Sequence, residues 1–182
     1  MTIEQTDING LYVLSPKLFH DHRGWFYESY SVHDFEDKGF NISFIQDNRS
    51  YTEKTGTIRG LHFQIEPMAQ TKLVICLRGA IRDIVVDLRN TSKTYKQWRA
   101  FELTEENKKS LLISSGFAHG FITLADHTEV LYKVDNFYSP QHERAIRYDD
   151  PTLSIDWTLS DIILSDKDRN APFLTGMSIS NK

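Results

Sequence analysis

Arg59-Gly60-Leu61-His62-Phe63-Gln64, followed by Gln70, Lys72 and Gly79, is answered downstream by Gly116-Phe117-Ala118-His119-Gly120-Phe121. Each half sets a His inside a short apolar run broken by glycine. Side chains alternate along a strand, so an inward His62 puts Gln64 on its own face and turns Phe63 away. Gly60, two residues before His62, lets the backbone approach a ligand closely. His119 stands between Ala118 and Gly120, small neighbours that leave its ring uncovered. A lone His in such a place is more often structural, so any chemistry depends on what surrounds the pair.

Working outward, Lys72 to Arg78 alternates, with Leu73, Ile75 and Leu77 on one face and Lys72, Val74 and Cys76 on the other. A lysine in an apolar lining demands an anionic partner or a function; the competing reading is a strand-end lysine reaching solvent. Ala80 to Arg89 places Ile81, Asp83, Val85 and Asp87 together, and buried carboxylates there are most simply paired with His or Arg. Glu129 to Asp135 puts Tyr132 on the face of Val130 and Val134, where the bland reading is a core tyrosine with its hydroxyl satisfied. Gly10 to Ser15 and Ser110 to Ser114 read as further strands. Ser31 to Lys38 before Gly39 reads as one or two helical turns, and Thr104 to Asn107 starts at most one turn. Many short strands punctuated by Gly, Asn and Asp predict an all-β antiparallel sandwich or barrel.

The two motifs together resemble the signature of a small β-barrel of the cupin type with the metal site removed. A metal-binding barrel of that type carries two His and a carboxylate in the first motif and one His in the second. Here Gln64 replaces the second His, and Lys72, seven residues before Gly79, stands where the carboxylate belongs. A cation repels a divalent metal, and amide oxygen is a poor ligand for a transition ion. The reading expects no metal and a pocket suited to moving protons.

The 182 residues fit a single domain over 1–182, with a loose end after about residue 173. At 40% hydrophobic, 25% charged and a formal net charge of −4, the chain lacks the basic excess that non-specific nucleic-acid binding needs. The single Cys76 excludes an internal disulfide and, in its apolar run, reads as an inert buried thiol. With no apolar run long enough for a membrane span and no signal-peptide pattern, a soluble cytoplasmic protein is expected.

Seven segments in order carry a closer resemblance. They are Asp21-His22-Arg23-Gly24-Trp25-Phe26-Tyr27-Glu28-Ser29-Tyr30, Phe44-Ile45-Gln46-Asp47-Asn48-Arg49-Ser50, Ile58 to Gln64, Ala69-Gln70-Thr71-Lys72-Leu73-Val74, Asp83 to Arg89, Gly116 to Phe121, and Leu164-Ser165-Asp166-Lys167-Asp168. On these the chain resembles the dTDP-4-dehydrorhamnose 3,5-epimerase family, nucleotide-sugar epimerases of deoxysugar biosynthesis. One departure is Ile113-Ser114-Ser115, where relatives usually carry Pro after the apolar residue.

The resemblance implies a jelly-roll, cupin-like barrel with a few short helical turns, a homodimer, and no metal or organic cofactor. It implies inversion at C3 and C5 of a 4-keto-6-deoxyhexose carried on a nucleoside diphosphate. By resemblance His62 is the base, oriented by Asp168, Lys72 sits near the C4 oxygen, and Tyr132 is the general acid. Arg23, Arg59 and Lys167 match diphosphate contacts. Glu28 and Gln46-Asp47-Asn48 match base and sugar contacts, Phe26 and Tyr138 flank the pyrimidine, and His119 and Glu143 match further substrate contacts. In the family Arg23 and Glu28 reach into the neighbouring subunit's site. Competing readings are a single-site epimerase on a related nucleotide sugar, a nucleotide-sugar 3,4-ketoisomerase, and a sugar-binding or metal-dependent cupin.

Overall fold

The computed structural model describes residues 1–177. Two antiparallel sheets face each other. One has six strands in the spatial order β1 (Thr2–Gln5), β2 (Leu11–Ser15), β10 (Ser110–Ile113), β7 (Lys72–Arg78), β12 (Thr128–Val134) and β5 (Gln46–Thr52). The other has five, in the order β13 (Glu143–Ala145), β6 (Ile58–Gln64), β11 (Phe117–Thr123), β8 (Ala80–Asp87) and β9 (Trp98–Thr104). A separate hairpin pairs β3 (Phe19–Asp21) with β4 (Gly24–Phe26), and the helices are α1 (Val32–Asp37) and α2 (Asp166–Arg169). This is the expected jelly-roll, with consecutive strands passing between sheets. Among the described residues no helix is long and apolar enough to cross a membrane.

The central strands are covered on both faces, which explains the near-continuous apolar character of β7 and β8. Val74, Cys76, Ile81, Val85, Leu111, Phe121 and Val130 fill the space between the sheets. On the outside of the six-stranded sheet, Leu73, Ile75 and Leu112 pack under Phe35 of α1. The Ser31 hydroxyl caps that helix by accepting from Asp34 N–H. On the outside of the five-stranded sheet, Ile58, Leu61, Phe63, Ile84 and Val86 pack under the chain from Ile146 to Leu174. Burying a side chain of this size is worth roughly 1.5–3 kcal/mol, so the irregular C-terminal segment is a stabilising layer.

Of the end expected to be loose after about residue 173, Leu174 is buried, its N–H donates to Asp150 Oδ2 at 2.6 Å, and Met177 packs on the core; residues 178–182 lie outside the described residues. Gly60 lets the backbone approach β11, since a Cβ there would lie 2.7 Å from Gly120 Cα and from His119 O, at a φ of +114°. At the turn before Gly116, Ser114 N–H donates to Gly10 O at 3.0 Å and ties the turn to the start of β2.

Candidate active site

A cavity of about 660 Å³ opens between the two sheets. The five-stranded sheet contributes His62 and Gln64 from β6, His119 and Phe121 from β11, and Glu143 from β13. The facing sheet contributes Gln46, Asn48 and Ser50 from β5, Lys72 from β7 and Tyr132 from β12. The C-terminal layer closes the rim with Ser165, Lys167 and Asp168. Strand alternation brings Gln46, Asn48 and Ser50 to one wall.

His62 Nε2 meets Asp168 Oδ1 at 2.6 Å, although the two lie 106 residues apart in the chain. Asp168 is held by α2, whose cap Ser165 accepts from Asp168 N–H at 3.1 Å. Gly60 N–H reaches its second oxygen at 3.5 Å. Burial alone would raise the Asp168 pKa, but the His62 bond and charge, the Gly60 N–H and the Ser165 side chain hold it below the ordinary carboxylate value. The carboxylate stays ionised and fixes the ring. Among the described residues the other ring nitrogen, Nδ1, carries no hydrogen bond, and the side chain is about a third exposed to the cavity.

Lys72 is only 8% exposed, so the reading of a strand-end lysine in solvent is overturned. Its ammonium donates to His62 O at 3.3 Å. Burial pushes its pKa down to about 8, against the pull of the Asp83 and Glu143 carboxylates. Asp83, wholly buried, receives His119 Nε2 on both oxygens, at 3.0 and 2.8 Å. Burial raises the Asp83 pKa, and the His119 and Lys72 charges restrain the rise. The two β8 carboxylates are paired as expected, Asp83 with His119 and Asp87 with Arg89. His119 sits opposite His62 in register, but its ring is covered rather than open, at 7% exposed.

Tyr132 packs against the inter-sheet core and turns towards the cavity. Among the described residues its hydroxyl has no hydrogen-bond partner, unlike the satisfied core tyrosine of the bland reading. Burial raises its pKa, with the Arg59 guanidinium opposing. At the mouth, Arg59 is braced by Thr52 Oγ1 at 3.0 Å and Tyr51 O at 3.1 Å. Glu143 accepts from Lys167 at 2.7 and 2.8 Å and from the Tyr138 hydroxyl at 2.9 Å. Desolvation would raise Glu143, and these donors together hold it below its usual value.

Four expected site residues do not line this cavity. Asp47 points the other way on β5 and binds Lys133 at 2.9 Å. Arg23 is exposed and pairs with Asp21 at 2.6 Å, and Phe26 is 65% exposed on the same hairpin. Glu28 is exposed just beyond it. Ser50, Gln70, Phe121 and Ser165 line the cavity without having been assigned a role. Ser50 was accessible from its spacing to Asn48, and Ser165 from the Ser-x-x-Asp capping pattern ending in Asp168. Among the described residues no group of three His, Cys, Asp or Glu is placed to hold a metal ion.

The family model for dTDP-4-dehydrorhamnose 3,5-epimerase matches residues 5–176. The enzyme of that name from Salmonella typhimurium is 45% identical over 176 residues, covering 96% of each chain. The crystal structure of the Bacillus anthracis enzyme, with TDP and PPi bound, is 49% identical with a TM-score of 0.93, covering 95% of this chain and 99% of its own. That of the Legionella pneumophila 3,5-epimerase, in complex with dTDP-4-keto-L-rhamnose, is 40% identical with a TM-score of 0.92, covering 97% and 94%. The chain belongs to the dTDP-4-dehydrorhamnose 3,5-epimerase family and is a sugar-nucleotide isomerase.

Proposed function

We propose that the pocket inverts both C3 and C5 of dTDP-4-dehydro-6-deoxy-D-glucose, giving dTDP-4-dehydro-L-rhamnose without an organic cofactor or metal. The supporting observation is the placement of His62, fixed by Asp168, on one sheet and of Tyr132 on the facing sheet, with the buried Lys72 ammonium beside them. C3 and C5 both flank the C4 carbonyl, so one enolate chemistry serves both carbons.

His62 Nδ1 takes the proton from C3, and the C–H electron pair moves to the C4 oxygen as an enolate. Lys72 stabilises that oxygen more than it stabilises the neutral ketone, which is the differential binding that lowers a barrier. Tyr132 then donates its proton to the opposite face of C3, and the carbonyl re-forms. His62 returns its proton to solvent, Tyr132 takes one up, and the cycle repeats at C5. Inversion requires donor and acceptor on opposite faces, and groups on opposing sheets meet that requirement.

Arg59 and Lys167 hold the diphosphate as charge-assisted donors, Gln46 and Asn48 contact the nucleoside, and Tyr138 flanks the pyrimidine. His119 and Glu143 complete the sugar pocket. Arg23, Phe26, Glu28 and Asp47 serve away from the cavity of their own chain. The exposed hairpin suits a homodimer in which Arg23 and Glu28 enter the neighbouring pocket. Incubation with the 4-keto sugar nucleotide, followed by proton NMR, should give the L-configured product. Recovery of unchanged sugar would overturn the substrate, and a carbonyl relocated to C3 would indicate ketoisomerisation.

A further inference from the structure

Gln64 occupies the place of a metal ligand in the two-motif pattern, lines the cavity and is 6% exposed, yet the reaction above gives it nothing to do. Its carboxamide is fully engaged with backbone. Nε2 donates to Phe137 O at 3.1 Å and to Met68 O, and Oε1 accepts from Ser139 N–H at 2.6 Å. The two groups it grips in the 137–139 stretch are the peptide carbonyl just before Tyr138 and the peptide N–H just after it. The amide therefore spans Tyr138 on both sides, whereas the Tyr138 side chain is 53% exposed and, among the described residues, bonds only to Glu143.

The surrounding loops are stitched by the same chemistry. Gln70 Nε2 donates to Asn136 O at 2.8 Å, and Asn136 Nδ2 donates to Pro67 O at 3.1 Å. Thr71 N–H reaches Asp135 Oδ1 at 2.7 Å. These bonds join the loop after β6 to the loop after β12. Gln64 is also the register partner of Glu143 on β13, which begins only four residues beyond Ser139. A neutral amide is the side chain suited to this task, because one donor group and one acceptor must satisfy peptide groups of both kinds in a largely buried place.

We infer that Gln64 is a positioning residue for nucleotide recognition: its amide clamps the peptide groups flanking Tyr138 and so holds that ring against the pyrimidine. The inference rests on the proposed nucleotide-binding role of Tyr138. A residue acting through Tyr138 loses its effect when Tyr138 is gone, whereas a merely structural one does not.

The experiment is a double-mutant cycle on the dissociation constant of dTDP, measured by calorimetric titration of the full chain. Gln64→Met, close in shape but unable to hydrogen-bond as an amide, should weaken dTDP binding about tenfold. In the Tyr138→Ala background the same change should alter binding by less than about twofold. Gln64→Glu keeps an oxygen facing Ser139 N–H but turns the other carboxylate oxygen onto the Phe137 and Met68 carbonyls, so it should weaken binding at least as much as Gln64→Met. It also serves if Gln64→Met does not fold. Equal losses in both backgrounds, or wild-type affinity in the Gln64 variants, would overturn the positioning role alone. A wild-type protein that binds no dTDP would overturn the nucleotide reading and this inference with it.

Discussion

Replacing Lys72 with Met removes a positive charge from a site where water is nearly excluded. In the folded protein burial lowers the Lys72 pKa from 10.5 to about 8, and in the unfolded chain the ordinary value returns. That difference corresponds to about 3 kcal/mol, spent on keeping the ammonium charged inside. Below pH 8 both states are protonated and the whole cost is present. Between about 8 and 10.5 the unfolded chain binds a proton that the folded one has released, so wild-type stability from this group rises with pH. Losing the bond to His62 O offsets about 1 kcal/mol of the gain. Lys72→Met should therefore be more stable than wild type by about 2 kcal/mol at pH 6.5, and that lead should shrink by about 2 kcal/mol by pH 9.5. Urea unfolding of both proteins at the two pH values gives the comparison. Turnover should drop by about 10²–10³-fold, since the enolate loses its preorganised cation. A variant less stable than wild type at pH 6.5, with a gap that does not move with pH, would refute a charged, desolvated Lys72.

Asp168→Asn leaves the shape of the pocket but removes the charge that fixes His62, and turnover should fall by about 10²–10⁴-fold with a modest drop in melting temperature at neutral pH. Gly60→Ala drives a Cβ to 2.7 Å from Gly120 Cα and His119 O. It should cost about 2–4 kcal/mol in chemical denaturation. Burial pushes the Cys76 thiol up to about 12, and its Sγ donates to Arg78 O at 3.3 Å. A thiol reagent at pH 8 should label it only at the rate of unfolding, and rapid labelling of native protein would contradict its inert placement.

The strands lining the cavity were legible because period-two patterning is local. Lys72–Arg78 and Thr128–Val134 both hold the faces read from their residues, with Val74, Cys76 and Val130 inward and Leu73, Ile75 and Leu131 outward. The pairing of His62 with Asp168 was not legible from spacing. It spans 106 residues and depends on α2 folding back over β6, so it came only through family resemblance. The Asp83–His119 pair was half legible: a carboxylate on an apolar face needs a partner, but which partner depends on the β8–β11 register. His119's small neighbours gave the wrong impression, because Gly120 makes room for the packed backbone of β6 and Ala118 faces the outer apolar layer instead of leaving the ring open. The seating of Leu174 and Met177 was not legible either, because what they pack on is the outer side of the five-stranded sheet, which no local pattern reveals.

The account stands on proton removal beside the C4 carbonyl, from two carbons, with return on the opposite face. Conversion of dTDP-4-dehydro-6-deoxy-D-glucose in deuterated water, followed by NMR of the product, measures this directly. The prediction is one solvent-derived deuterium at C3 and one at C5. Label at a single carbon would contradict double inversion, and epimerised product without label would contradict the His62–Tyr132 enolate route.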